Sequence, residues 1–139
     1  MAKQANRRKP LSNQSKPVSE QVVALLDNLF FSARINEAMN TAKGEITFAR
    51  KPEQALEMAR TLKPKLVILD LDAAPCSPIE LIKKMKASPD LRDIRTIGFV
   101  SHVNSERQEE ARAAGCDRVM ARSVFFSDLK ALVGEAISG

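Results

Sequence analysis

The chain has 139 residues, enough for one domain with its own core, and its 44 % apolar content is ordinary for a globular protein. No apolar run approaches the ~20 residues that a membrane-spanning helix needs, and the polar N-terminus lacks the apolar stretch of a secretory signal, so a membrane role is not expected. The whole net charge of +5 sits in residues 1–19, which carry Lys3, Arg7, Arg8, Lys9 and Lys16 and no acid; the remaining 17 basic and 17 acidic residues cancel. Two cysteines without CxxC spacing or neighbouring histidines read as reduced thiols, which points to the cytoplasm rather than to a disulfide framework or a metal site.

Residues 1–19 lack hydrophobic periodicity and are rich in Lys, Arg, Ser, Asn, Gln and Pro; they are expected to be a disordered basic arm, leaving 20–139 as the folded domain. QVVALLD then reads as a buried strand ending at Asp27. Residues 30–42 fit a helix, with Phe31, Ile35, Ala38 and Met39 on one face and Gly44 just past its end. EITFAR is a short strand. Pro52 opens the second helix at a position where a missing N–H costs nothing, and Pro64 stops it. KLVILDL is the third strand and IELIKKMKAS the third helix. TIGFVS is the fourth strand, followed by SERQEEARAAG, with Ser105 and Gln108 as a capping box and Gly115 as the stop. RVMAR is the fifth strand, and Ser127 is placed to cap a last helix, DLKALVGEAIS.

Five strands alternating with five helices predict an α/β domain with a parallel sheet, because strands covered on both faces read as continuous apolar runs. In such open sheets ligands bind beyond the carboxyl ends of the strands. Polar groups gather there: Asp27-Asn28 after the first strand, Asp70-Leu71-Asp72 after the third, Ser101-His102 after the fourth, and Arg122-Ser123 after the fifth. Unpaired buried carboxylates are costly, so acids in this position call for a cation, a donor or water.

From about residue 21 to 138 the chain resembles a receiver domain, the response-regulator module of two-component signalling. That family carries an acidic pair after strand 1, a phosphoacceptor Asp after strand 3, a Ser or Thr after strand 4 and a Lys-Pro after strand 5. Asp27-Asn28, Asp70, Ser101 and Arg122-Ser123 stand in those places. The resemblance implies a doubly wound, flavodoxin-like (βα)5 fold with strand order 2-1-3-4-5. It implies Asp70 as the nucleophile phosphorylated by a histidine kinase or a small phosphodonor, Ser101 as the switch hydroxyl, and Arg122 beside the phosphoryl group. It further implies Mg²⁺ held by Asp27, Asn28, Asp70 and Asp72, the last through its backbone carbonyl.

The chain also departs from the family pattern. Asn28 removes one negative charge, which the Asp72 side chain is placed to restore. Arg122 stands where Lys is usual and has two options, a bidentate clamp on a phosphoryl group or a permanent pair with Asp70. Ser123 replaces the usual Pro. Pro78 replaces a loop Gly, so the turn after strand 3 must differ. Beside these roles stand plainer ones: Asn28 as a helix cap, His102 as a solvated loop residue, Cys76 as a small filler.

Phe30-Phe31 and Phe125-Phe126 are paired rings. Adjacent residues on a helix point in different directions, so one ring of each pair is expected to be part-exposed. The resemblance implies a downstream protein partner on the face of helix 4, strand 5 and helix 5, where Phe125 and Phe126 fall. A homodimer through that face is compatible with this. With no Trp or Tyr and no ring in the arm, specific nucleic-acid binding is not expected. Two functions stand side by side, a single-domain phosphorelay receiver and a pseudo-receiver that binds partners without phosphorylation. A phosphatase reading of the Asp70-x-Asp72 pattern is set aside, since the haloacid-dehalogenase DxD follows a first core strand in a longer chain.

Overall fold

The structure, a computed structural model, describes residues 21–138; the expected basic arm lies outside the described residues. Twelve segments alternate along them: β1 (Gln21–Leu25), α1 (Leu29–Ala42), β2 (Glu45–Ala49), α2 (Pro52–Leu62), β3 (Leu66–Asp70), a 3₁₀ turn (Ala74–Cys76), α3 (Pro78–Ala87), β4 (Arg95–Val100), α4 (Ser105–Ala114), β5 (Arg118–Ala121), α5 (Arg122–Ser127) and α6 (Leu129–Ser138). The strands form one parallel sheet in the order β2-β1-β3-β4-β5, as expected from the sequence. Each strand–helix–strand crossover must return over the sheet, which is why helices cover both faces.

Alternation along the strands sorts the core into two layers. Val22, Ala24, Leu66, Ile68, Ile97 and Phe99 face α1, α5 and α6. Val23, Leu25, Val67, Leu69 and Val100 face α2, α3 and α4. β3 lies at the centre of the sheet, and all five of its residues are buried, so Asp70 is carried into a dry position by the strand itself.

The helix signals resolve with some changes. Pro52 and Pro78 occupy the first turns of α2 and α3, as their missing N–H groups allow. Lys43, not Gly44, takes the left-handed cap after α1, with φ 62°. Asn104 rather than Ser105 caps α4, its Oδ1 accepting from the Arg107 N–H at 3.2 Å. Ser127 closes α5 instead of capping the last helix. The turn after β3 does differ, as Pro78 requires: a 3₁₀ turn leads into Ser77 at φ 50°, and α3 starts at the proline.

β4 contains Gly98 for a reason visible in the packing. A Cβ there would lie 2.6 Å from Leu71 Cδ1 and 2.8 Å from its Cγ, and Leu71 is fully buried between the two acids that flank it in sequence. Gly98→Ala is therefore expected to destabilise the domain by about 1–3 kcal/mol, the usual cost of overpacking, measurable by urea denaturation. Unchanged stability would show that Leu71 has room to turn aside.

Candidate functional site at the carboxyl edge of the sheet

The four loops named by the sequence do converge at one edge. Asp70 ends β3, 5 % exposed, and its Oδ1 accepts the backbone N–H of Asp72 at 3.0 Å. Burial, the largest influence, pushes its carboxyl above the ordinary aspartate value; the charges of Asp72 and Asp27 add to this, while the Asp72 N–H and the Arg122 guanidinium oppose it. Asp70 is therefore a poorly solvated carboxyl group, harder to ionise than a surface one.

Asp72 is the hub of the edge. Its Oδ2 accepts the backbone N–H of Ser101 at 2.7 Å and Nη2 of Arg122 at 2.6 Å, and its Oδ1 accepts Nδ2 of Asn104 at 2.9 Å. Its backbone carbonyl, expected at a metal, accepts the N–H of Ala74 at 3.0 Å. Partial burial alone would raise this carboxyl, but donors from Asn104, Ser101 and Arg122 outweigh it and hold Asp72 below the ordinary value. One side chain thus ties the end of β3, the β4–α4 loop and the start of α5 together.

Arg122 is thereby corrected. Of the two options read from the sequence, the permanent pair with Asp70 is not taken: Arg122 pairs with Asp72. The reason lies in local structure, because β5 runs into α5 without a loop, placing Arg122 on the first helical turn. Its guanidinium also lies 5.3 Å from the Phe31 ring centroid, and its Nε is buried without an acceptor among the described residues.

The expected metal ligands do not assemble. Asn28 serves as the N-cap of α1, its Oδ1 accepting from Phe31 N–H at 2.9 Å, so the plainer reading holds. Asp72 has both oxygens engaged. Asp27 is exposed and close enough to raise Asp70. Among the described residues no group of three or more His, Cys, Asp or Glu side chains is placed to hold a metal ion. The donor set as it stands does not fit a divalent cation.

The switch hydroxyl, Ser101, is partly exposed at the same edge, but it meets Asp72 through its backbone and not through its Oγ. His102 is exposed beside it. Cys76 is buried, 1 % exposed, and burial pushes its thiol up, as does burial at Cys116; both are inert fillers. Asn104 is the site residue the sequence reading missed, although its cap-forming type just before an acidic helix start was a usable signal.

The phenylalanines divide differently from expectation. Phe30 is 67 % exposed and Phe31 packs inward, as foreseen, but Phe125 and Phe126 are both buried, at 0 % and 8 %. α5 lies in a notch where Phe125 stacks on Phe99 at 4.7 Å and Phe126 meets Phe31 at 5.0 Å. These two rings hold the helix down rather than form an exposed apolar face. Among the described residues the large apolar side chains that are exposed are Leu29, Phe30, Val103 and Val124, all on segments leaving the carboxyl edge.

A five-stranded parallel sheet in this order, with acids following its first and third strands, is the fold of response-regulator receiver domains. The likenesses agree. The chain is 23 % identical over 121 residues to the polar-differentiation response regulator DivK of Brucella anthropi, covering 84 % of this chain and 98 % of the relative. The signal receiver domain of a DNA-binding response regulator (merR) from Colwellia psychrerythraea superposes with a TM-score of 0.73 at 17 % identity, covering 86 % of this chain and 98 % of that one. The Mn²⁺-bound response regulator Rcp1 superposes at 0.67 and 19 % identity, covering 85 % and 91 %. No protein-family model matches the chain. No helix among the described residues is long and apolar enough to cross a membrane.

Proposed function

We propose that the chain is a receiver-fold signalling module that acts by protein contact without phosphorylation of Asp70. The observation that supports this most is the Asp72–Arg122 bridge. In a working phosphoacceptor site the cation after strand 5 meets the incoming phosphoryl group, whose transfer is mostly positioning and charge neutralisation. Here that cation is spent on a neighbour that also holds the Ser101 N–H and the Asn104 amide. Asn28 is spent on a helix cap. The remaining acid, Asp70, is desolvated, and among the described residues no group of three or more His, Cys, Asp or Glu side chains is assembled to hold a metal beside it.

The surface for contact is the apolar rim of Leu29, Phe30, Val103 and Val124 around the carboxyl edge, rather than the buried rings of α5. Two buried free thiols suit a reducing compartment, and the cytoplasm is the location this reading assigns. The phosphorelay reading has one observation in its favour: Asp70 ends the central strand with Asp27 nearby, where a receiver keeps its nucleophile and acid. In that reading a histidine kinase or small phosphodonor phosphorylates Asp70 with Mg²⁺ held by Asp27, Asn28, Asp70 and Asp72.

Intact mass after incubation with acetyl phosphate and Mg²⁺ separates the two. Wild type and Asp70→Asn are both expected to stay at their unmodified masses. A phosphoryl adduct on wild type that is absent from Asp70→Asn would overturn the proposal and restore the phosphorelay.

A further inference from the structure

Next to the acids, but not lined by them, a hollow of about 560 Å³ opens between α1, the β4–α4 loop and α5. Its lining includes Arg34, Arg122, Ser101, His102, Phe31 and Phe126, with two more serine hydroxyls, from Ser123 and Ser127. No carboxylate lines it. A space of this size is too large for a bare inorganic anion and lies in the range of small organic ligands.

Its charge is organised. The Arg34 guanidinium lies over the Phe126 ring at 4.5 Å, and Arg122 lies near the Phe31 ring at 5.3 Å. A guanidinium resting on a ring keeps its N–H fork fixed, which lowers the ordering cost of binding a phosphate or carboxylate. Arg34 makes no ion pair among the described residues. Arg122 gives one nitrogen to Asp72, and its buried Nε has no acceptor among the described residues. Three hydroxyls and the imidazole of His102 supply further donors around the same space. Two guanidiniums, of which Arg122 gives only one nitrogen to the neighbouring Asp72, several neutral donors and two rings, in a lining without a carboxylate, describe an anion site.

We propose that this hollow binds a small organic anion, a phosphate monoester or carboxylate with a flat apolar body, its charged end between Arg34 and Arg122. The site stands apart from Asp70 and does not depend on whether Asp70 is phosphorylated.

The test is a ¹⁵N NMR titration of the full chain with phenyl phosphate and with benzoate, in EDTA and at fixed ionic strength. Saturable shifts are expected at the amides of Ser101, His102, Ser123 and Ser127 with one probe or both, and the probe that binds tells phosphate from carboxylate recognition. Arg34→Gln, at an exposed helix position, is expected to weaken binding about tenfold or more, and Ser123→Asp to abolish it by adding a carboxylate to the lining. Asp70→Asn is expected to bind like wild type. Absence of saturable shifts up to about 10 mM, a range that still detects weak ligands, overturns the proposal. So do shifts confined to residues 1–20, or equal affinity in Arg34→Gln and Ser123→Asp. Weakened binding in Asp70→Asn would place the anion at the acids and likewise overturn it.

Discussion

Phe99→Ala is expected to remove about 3–5 kcal/mol of folding stability, the usual cost of deleting a fully buried ring. Phe99 has no exposed surface and meets three other rings: Phe125 stacked at 4.7 Å, Phe126 edge-on at 5.3 Å and Phe31 edge-on at 5.6 Å. Its removal leaves a void under α5 that backbone cannot fill, because β4 is paired on both sides, with β3 and β5. Guanidinium denaturation would measure the loss, and Phe99→Leu should recover much of it by restoring volume without aromatic contacts. A loss below about 1 kcal/mol for Phe99→Ala would mean that α5 collapses into the gap and that the ring cluster is not what seats it.

Asp72→Ala is expected to cost about 2–3 kcal/mol, since it strands three donors at once: the Ser101 N–H, the Asn104 amide and the Arg122 guanidinium. The figure is set below that for a fully buried pair because the side chains of Arg122 and Asp72 are 39 % and 21 % exposed, so water replaces part of what is lost. The loss should depend on pH in a definite direction. The folded-state value of Asp72 is depressed, so its contribution is present above the unfolded carboxyl value and disappears as pH falls through the folded one. Wild type and Asp72→Ala should then converge in acid. Asp70 works the other way: its raised value makes it a burden that builds up as pH rises from the unfolded carboxyl value to the folded one and is complete above it, so Asp70→Asn should be at least as stable as wild type at neutral pH. Urea midpoints across pH for the three proteins would check both signs. A constant gap between wild type and Asp72→Ala down to strong acid would show that the aspartate's ionised form is not what binds the three segments.

Much of this architecture was legible before any coordinates. Leu66–Leu69 could only be a strand covered on both faces, Pro52 could only open a helix, and Gly115 ends α4 in the left-handed conformation expected of it. The convergence of Asp27, Asp70, Ser101 and Arg122 at one edge followed from parallel strands alone. What did not follow was which partner each group takes. Asp70 and Asp72 are two residues apart, and a guanidinium reaching the edge can meet either; the choice is made by where α5 begins, and no residue after β5 announced a helix starting at Arg122. The phenylalanine pair failed for the same reason. Rings at adjacent helical positions diverge, yet both are buried once the helix lies in a notch walled by β4 and α1. Asn104 and Ser105 are both good caps, and composition does not decide between neighbours.

α4 shows a last consequence. Of its ten residues only Ala111 is buried; Ala114 is half-buried against the same core layer, and the rest of the surface is Arg, Glu, Gln and Ser with one exposed Ala113. Its hold on the domain is at its start, through Asn104 to Asp72, and along a narrow stripe of small residues, Ala111 and Ala114, while the Gly115 and Cys116 N–H groups only cap the helix's own last carbonyls. A helix held by one tip and a narrow stripe of small residues opens at lower cost than elements seated on large core side chains. Amide exchange along α4 is therefore expected to be faster than along β3 or β4, and to quicken further when the Asn104–Asp72 fastening is cut.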